Sequence, residues 1–202
     1  EVYNPDGVLY GRLPEFRLSE RGHAMAEAAA LELAGSDRIV RKLAASPLER
    51  TQQSARPIAG ALSLEIATDA RIIEPTNAFE GLKNSGPDAA FKNPKHWLKF
   101  INPFRPSWGE PYRSIASRMR DAMNEAWDAT DGGDIVFVTH QAPIWVTHLD
   151  VAGKALFHDP RSRRCELSSI TTFERRGERW FEVDYRTPAA DLVAGAKDVG
   201  AV

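Results

Sequence analysis

The chain has 202 residues, of which 43% are hydrophobic and 27% are charged, and its formal net charge is −2 at pH 7. This composition is typical of a folded domain with a sizeable core and no broad basic surface, so we expect neither nucleic acid nor a membrane as a partner. The single cysteine, Cys165, excludes a disulfide within these residues and favours a reducing cytoplasm, and no apolar run has the length of a membrane-spanning helix.

The first part of the chain predicts a helix, a strand and a second helix. Ser19 is a candidate N-cap for a helix that runs to about Leu33, and Gly35 stops it. The segment RIVRKLAAS, which ends at Ser46, predicts a short strand, and a helix follows through the fifties despite Pro57.

Glu74 lies where regular structure is expected to give way to a long loop. It follows an apolar pair and precedes Pro75, so we expect a strand to end there. From about 75 to 111, proline and aromatic residues replace periodic patterns, as in NPKHW and NPFRPSW. This segment predicts a loop-rich insertion over a site.

The second part of the chain predicts a helix, a buried strand and a late hairpin. The helix covers about 114–129, the strand covers Ile135 to Thr139, and another helix starts near Pro143. Two further strands flank a turn at 176–178. Alternating strands and helices favour a single α/β domain over 1–202, a three-layer α/β/α sandwich around a mostly parallel mixed sheet.

Two polar residues stand at the ends of predicted strands. Ser46 ends the first strand and His140 follows the strand IVFVT. Because ligands in such sheets bind beyond the carboxyl ends of the strands, one pocket could hold both side chains.

Three segments carry residues that could take part in chemistry. Arg50 falls in the first turn of a helix, where a guanidinium and free backbone N–H groups both favour an anion. Glu74, with Glu80 as a second candidate, could act as a general acid if burial raises its pKa. Each residue taken alone is better explained as an ordinary surface or structural residue, and the same holds for His140.

Together these segments resemble the histidine phosphatase superfamily, most closely its phosphoglycerate mutase-like branch. The resemblance rests on SPLERTQQSA, on RIIE followed by EG, and on VTHQAPI, in that order, with VLYGRLPEFRLSERG before the first helix. It covers nearly the whole chain. It implies a reaction in which a phosphorylated histidine is the intermediate.

The resemblance assigns a role to each matching position. It implies that Arg50 is a clamping arginine, His140 the second histidine and Glu74 the proton donor, with no metal or cofactor. The substrate-binding positions that it implies are Asn4, Arg12, Glu110 and Gln141.

The resemblance also places the nucleophile outside the sequence. In relatives the motif is Arg-His-Gly-Glu, and Glu1 resembles its glutamate, so we expect the nucleophilic histidine directly ahead of Glu1, on a central first strand. The remaining histidines have other expected roles: His23 and His96 are predicted at the surface, and His148 and His158 are predicted to be structural.

The leading prediction is a phosphomonoester hydrolase acting on a small phosphorylated metabolite through a phosphohistidine. Two alternatives stay open: a phosphoglycerate or phosphosugar mutase, and a phospho-ligand binding protein without turnover. The substrate and the formation of a homodimer are left open as well.

Overall fold

A computed structural model describes residues 1–83 and 109–196. Most of the predicted insertion, together with His96, lies outside these residues. In the described part, none of the helices is both long and apolar enough to span a bilayer.

Three parallel strands form the main sheet. They are β1 (Val40–Ala45), β2 (Ile66–Thr68) and β3 (Asp134–Val138), in the order β2-β1-β3. The β1–β3 ladder pairs Leu43 with Val136 and Ala45 with Val138. Because the strands are parallel, their carboxyl ends meet at one edge, which is where the predicted residues Ser46 and His140 stand.

Helices cover both faces of this sheet, which confirms the α/β fold. They are α1 (Glu20–Ala34), α2 (Glu49–Leu62), α3 (Tyr112–Asp128) and α4 (Gln141–Val151), with a short α5 (Ala190–Val193) near the end. Val136 and Val138 of β3 pack with residues of α1 and α2, whereas Phe137 packs with residues of α3 and α4. Successive side chains of a strand point to opposite faces, so the two apolar clusters lie on the two sides of the sheet.

The late hairpin is also present. Strands β4 (Ile170–Arg176) and β5 (Arg179–Arg186) pair antiparallel as a sheet of their own. Gly177 has a φ of 62°, the left-handed conformation that a tight turn requires. Trp180 of β5 donates to Asn124 of α3 over 2.9 Å, which ties the hairpin to the helical layer.

The boundaries of α1 follow the predicted signals. Ser19 accepts a hydrogen bond from the backbone N–H of Gly22 at 3.0 Å, and Gly35 is the C-cap. The prediction of a strand ending at Glu74 is wrong: residues Ala70–Ile72 form a 3-10 helix, and the strand lies earlier, as β2. The cause is local, because the Asp69 carboxylate accepts from the N–H of Arg71 at 2.8 Å and so stabilises a tight turn.

Candidate active site

The strand ends bring three predicted site residues together. His140 follows β3, and its Nδ1 lies 3.3 Å from a guanidinium nitrogen of Arg50 in the first turn of α2. The same Nδ1 lies 3.4 Å from Oε2 of Glu74. On the other side of the ring, Nε2 lies 2.8 Å from the hydroxyl of Ser46. A single pocket therefore holds a cation, a carboxyl group, an imidazole and a hydroxyl group.

Arg50 is a buried cation held by neutral groups. It is 6% exposed, donates to the carbonyl of Gly11 at 2.8 Å and lies 4.9 Å from the ring centroid of Tyr10. Burial lowers the pKa of its guanidinium, and the negative charge of Glu74 opposes that effect. Arginine nevertheless stays protonated in proteins, so this position offers a fixed positive charge to an anion.

Glu74 is a buried carboxyl group with a raised pKa. It is 1% exposed, and within the described residues its Oε2 has no hydrogen-bond partner. Burial raises its pKa to about 7, against the opposing influence of Arg50 and of Arg163, Arg118 and Arg12. A carboxyl group that keeps its proton near neutral pH can serve as a general acid.

His140 is held as a neutral imidazole. It is 7% exposed, and burial, followed by the nearby charge of Arg50, lowers its pKa well below the usual value. A neutral ring has one donating and one accepting nitrogen, so its two neighbours decide which nitrogen carries the proton.

Glu110 organises two arginines beside this pocket. Its Oε1 accepts from Nε of Arg118 at 2.9 Å, and its Oε2 lies 3.4 Å from a guanidinium nitrogen of Arg12. The backbone N–H of Arg12 donates to Glu80 at 3.0 Å. Glu110 therefore positions the predicted residue Arg12 and also Arg118 through its carboxylate, and Glu80 fixes the loop that carries Arg12.

Two of the predicted substrate-binding residues have partners away from the buried cluster. The side-chain amide of Asn4 donates to the carbonyl of Val8 at 2.8 Å and accepts from the backbone N–H of Val8 at 3.0 Å, which holds together the loop between these two residues. Gln141 lines the pocket and donates to the carbonyl of Cys165 at 2.8 Å.

Sequence reasoning missed Arg118 and Arg163. Arg118 comes from the middle of α3, and Arg163 comes from the loop before the hairpin, where its Nε donates to His158 at 2.9 Å. Both influence the pKa of Glu74. The basic run RSRR was a signal for Arg163, but an arginine inside a helix looks like a surface residue until the tertiary structure is known.

The other histidines within residues 1–83 and 109–196 lie outside the buried cluster. His148 contacts Glu182 of β5 and stacks on Trp145, with ring centroids 4.5 Å apart. His158 accepts from Arg163, and its Nδ1 lies 2.8 Å from the carbonyl of Leu156. His23 is exposed on α1.

A cavity of about 400 Å³ runs from this pocket between β3 and β4. We call it the inter-strand slot, defined by Asp134–Val138 on one side and Ile170–Phe173 on the other. Consecutive residues of both strands line it. Because successive side chains point to opposite faces of a sheet, the slot must run along the backbone edges of the two strands. Helices of both layers also line it, and Glu1 stands beside it.

Glu1 is anchored next to the amino end of α1. Its carbonyl accepts from the backbone N–H of Ser19 at 3.1 Å, and its carboxylate accepts from the Ser19 hydroxyl at 2.9 Å. A Cβ at Gly22 would overlap the Glu1 carbonyl oxygen, so this approach requires glycine.

The three-layer α/β fold thus brings a buried arginine, an imidazole and a carboxyl group together at the strand ends. The sequence matches the family model of the histidine phosphatase superfamily (branch 1) over residues 2–187. The chain belongs to this superfamily.

Known proteins with similar sequences or structures agree with this assignment. The uncharacterized protein Rv0525 of Mycobacterium tuberculosis H37Rv is 47% identical over 190 residues, which cover 94% of this chain and 93% of that protein. The structure is similar to that of mycobacterial hydrolase 1, with a TM-score of 0.74, 22% identity and coverage of 90% and 91% of the two chains. It is also similar to mycobacterial glucosyl-3-phosphoglycerate phosphatase Rv2419c in complex with VO3, with a TM-score of 0.70, 22% identity and coverage of 89% and 91%. Membership of the superfamily supports an activity of phosphatase or mutase type.

Proposed function

We propose that this protein is a phosphomonoester hydrolase that acts on a small phosphorylated metabolite through a phosphohistidine intermediate. The observation that carries the proposal is the buried cluster of Arg50, His140 and Glu74, with 3.3 and 3.4 Å between the histidine Nδ1 and its two neighbours. A transferring phosphoryl group spreads negative charge over its equatorial oxygens, which fixed donors and cations stabilise.

Each residue of the cluster has one task in this reaction. Arg50 and His140 donate to the phosphoryl oxygens, and Glu74 gives its proton to the leaving oxygen of the substrate. Arg12 and Arg118, held by Glu110, add positive potential at the pocket edge. The raised pKa of Glu74, about 7, keeps that proton available near neutral pH.

The nucleophilic histidine belongs, in this proposal, to a strand that fills the inter-strand slot. The slot is lined by backbone edges on two sides and by both helical layers, which suits an apolar strand buried on both faces. Glu1 lines the slot and lies beside the amino end of α1, so it would be a neighbour of such a strand.

The test is hydrolysis of p-nitrophenyl phosphate by the full-length natural protein and its His140→Ala variant. We expect kcat/KM to fall by about 100-fold or more, because one fixed donor to the phosphoryl group is lost. His23→Ala, which removes an exposed histidine of α1, is the matched control and should leave turnover unchanged. Equal turnover in wild type and His140→Ala would reject the proposed function.

A product analysis separates hydrolysis from the alternatives. Incubation with 3-phosphoglycerate should release phosphate if the proposal holds, whereas isomerisation without phosphate release would indicate a mutase. Binding of vanadate by a full-length protein that turns over no phosphomonoester would indicate a phospho-ligand binding protein.

A further inference from the structure

The side chain of Ser46 makes a contact that the proposed reaction does not use. Its hydroxyl lies 2.8 Å from Nε2 of His140, and the residue is fully buried at 0% exposed. The backbone of Ser46 is already fixed without this hydroxyl: its N–H donates to Val138 at 3.0 Å, and its carbonyl accepts from Thr51 and Gln52, each at 2.9 Å. The hydroxyl also accepts from the backbone N–H of Leu48 at 3.5 Å, a long contact that leaves its hydrogen and its second lone pair for the histidine.

The groups around Nδ1 of His140 determine whether Nε2, the nitrogen that faces Ser46, carries the proton. A guanidinium can only donate, so Nδ1 of His140 must accept from Arg50 across their 3.3 Å contact. In its protonated form Glu74 is also a donor on this side of the ring, since its Oε2 lies 3.4 Å from Nδ1. In a neutral ring the proton must then reside on Nε2, and the oxygen of Ser46 accepts it.

A bound phosphoryl group reverses this pattern. Its oxygens are acceptors that attract the N–H groups of Arg50 and the proton of Glu74, so neither group still donates to Nδ1. Both changes favour a proton on Nδ1 of His140, which leaves a lone pair on Nε2. The ring stays neutral because Nε2 releases one proton to solvent and Nδ1 takes one from water that enters with the anion.

We propose that Ser46 is a positioning residue whose hydroxyl pairs with Nε2 of His140 in both tautomers, accepting in the anion-free site and donating when a phosphoryl group is bound. A hydroxyl group suits this task since it is donor and acceptor at once and its hydrogen rotates freely. The effect of Ser46 on turnover rests on the proposed function, whereas the hydrogen-bond pattern does not.

The wild-type protein gives the first test. Long-range 15N–1H spectra of the full-length protein at pH 7 report which imidazole nitrogen of His140 is protonated, without and with orthovanadate as the phosphoryl probe. We expect Nε2–H without vanadate and Nδ1–H with it. A proton on Nδ1 in the anion-free protein, or the same tautomer in both spectra, would overturn the inference.

Variants of neighbouring hydroxyls give the second test. Ser46→Ala should lower kcat/KM by about ten-fold and leave His140 with mixed tautomers, because a buried ring nitrogen has lost its partner. Ser46→Thr keeps the hydroxyl and should keep the wild-type tautomers. Thr51→Val is the matched control: it removes a buried hydroxyl that bonds only backbone carbonyls, so it should lower stability without changing the tautomers.

The outcomes for Ser46 and for the proposed function are distinct. Wild-type tautomers and full kcat/KM in Ser46→Ala would show that the hydroxyl is merely structural. A full-length protein that shows the expected tautomers but hydrolyses no phosphomonoester would refute the proposed function and leave the role of Ser46 intact.

Discussion

Three ionisable side chains share a site from which water is largely excluded, and burial acts on each of them differently. It raises the pKa of Glu74, lowers that of His140 and leaves Arg50 charged. Just below pH 7 the cluster is therefore mostly a protonated carboxyl group, a neutral imidazole and one cation. A phosphoryl anion would compensate that cation, which gives the site a physical reason to bind it.

Glu74 should set the alkaline limit of activity. Because the protonated carboxyl is the acid, kcat/KM of the full-length protein should fall as the pH rises through about 7. Glu74→Gln cannot donate a proton to the leaving group, so kcat should drop by about 10²–10⁴-fold. The pH profile of p-nitrophenyl phosphate hydrolysis measures both effects, and a variant that kept the wild-type alkaline limb would contradict the assignment.

The same carboxyl group should make stability depend on pH. Its pKa is higher in the folded protein, about 7, than its ordinary value of 4.5, so the folded state binds the proton more tightly. The stabilisation is complete below pH 4.5 and is lost as the pH rises through 7. Relative to Glu74→Gln, the wild-type free energy of unfolding should decrease over that range, by at most about 3 kcal/mol.

Urea unfolding of both proteins at several pH values measures this difference. The depressed pKa of His140 has the opposite effect, since its stabilisation is lost as the pH falls below 6.5. The histidine is present in both proteins, so its contribution cancels in the comparison. A difference that stayed constant from pH 4.5 to 7.5 would mean that Glu74 titrates normally.

Among the elements, α1 depends on one close approach at its first turn. Gly22 lies against the carbonyl of Glu1, where a Cβ would overlap the oxygen. Gly60 of α2 offers a contrast, because a Cβ there would have no heavy atom within 4 Å. Two helical glycines of one protein thus differ in their surroundings.

Replacing these glycines by alanine should have opposite effects. Gly60→Ala should stabilise the protein by about 0.5–1 kcal/mol, the usual preference of a helix for alanine. Gly22→Ala should destabilise it by about 1–3 kcal/mol, because the backbone of Glu1 must move. Denaturant unfolding measures both, and stabilisation by Gly22→Ala would disprove the close approach.

The elements that the sequence predicted well are those with local signals. The N-cap of Ser19, the apolar run of β3 and the turn at Gly177 act over a few residues, and each appears close to its predicted position. The segment before Glu74 was predicted as a strand because its apolar pair outweighed the capping carboxylate of Asp69. Burial of Glu74 and the neighbourhood of Arg118 and Arg163 depend on tertiary contacts, which no local pattern encodes.

For the molecule as a whole, the proposed reaction would link folding stability with activity through the strand that fills the inter-strand slot. In the sheets that the described residues form, β3 pairs with β1 alone and β4 pairs with β5 alone. A strand seated between them would join the two sheets and bring the nucleophile to Arg50 and His140. Folding and catalysis would then depend on the same segment.

Hydrogen exchange can detect such a strand. In the natural protein, the β3 amides that do not bond β1 should exchange at least about ten-fold more slowly than the amides of exposed loops, because a strand in the slot would bond them. The amides of β1, which is paired on both sides, are the internal control and should be protected as well. Rapid exchange of those β3 amides would argue against a strand in the slot.

The ladder between β1 and β3 has a further consequence, for the order of events in folding. It pairs Val40 with Asp134 and leads directly to Ser46 and His140, which are 94 positions apart in the chain. Closing so long a loop is slow and gains nothing until the strands meet. Helices such as α1 and α3 can form early from local contacts. The anion pocket can form only when β1 and β3 pair, which is late. A refolding chain should therefore regain its site at the end of folding.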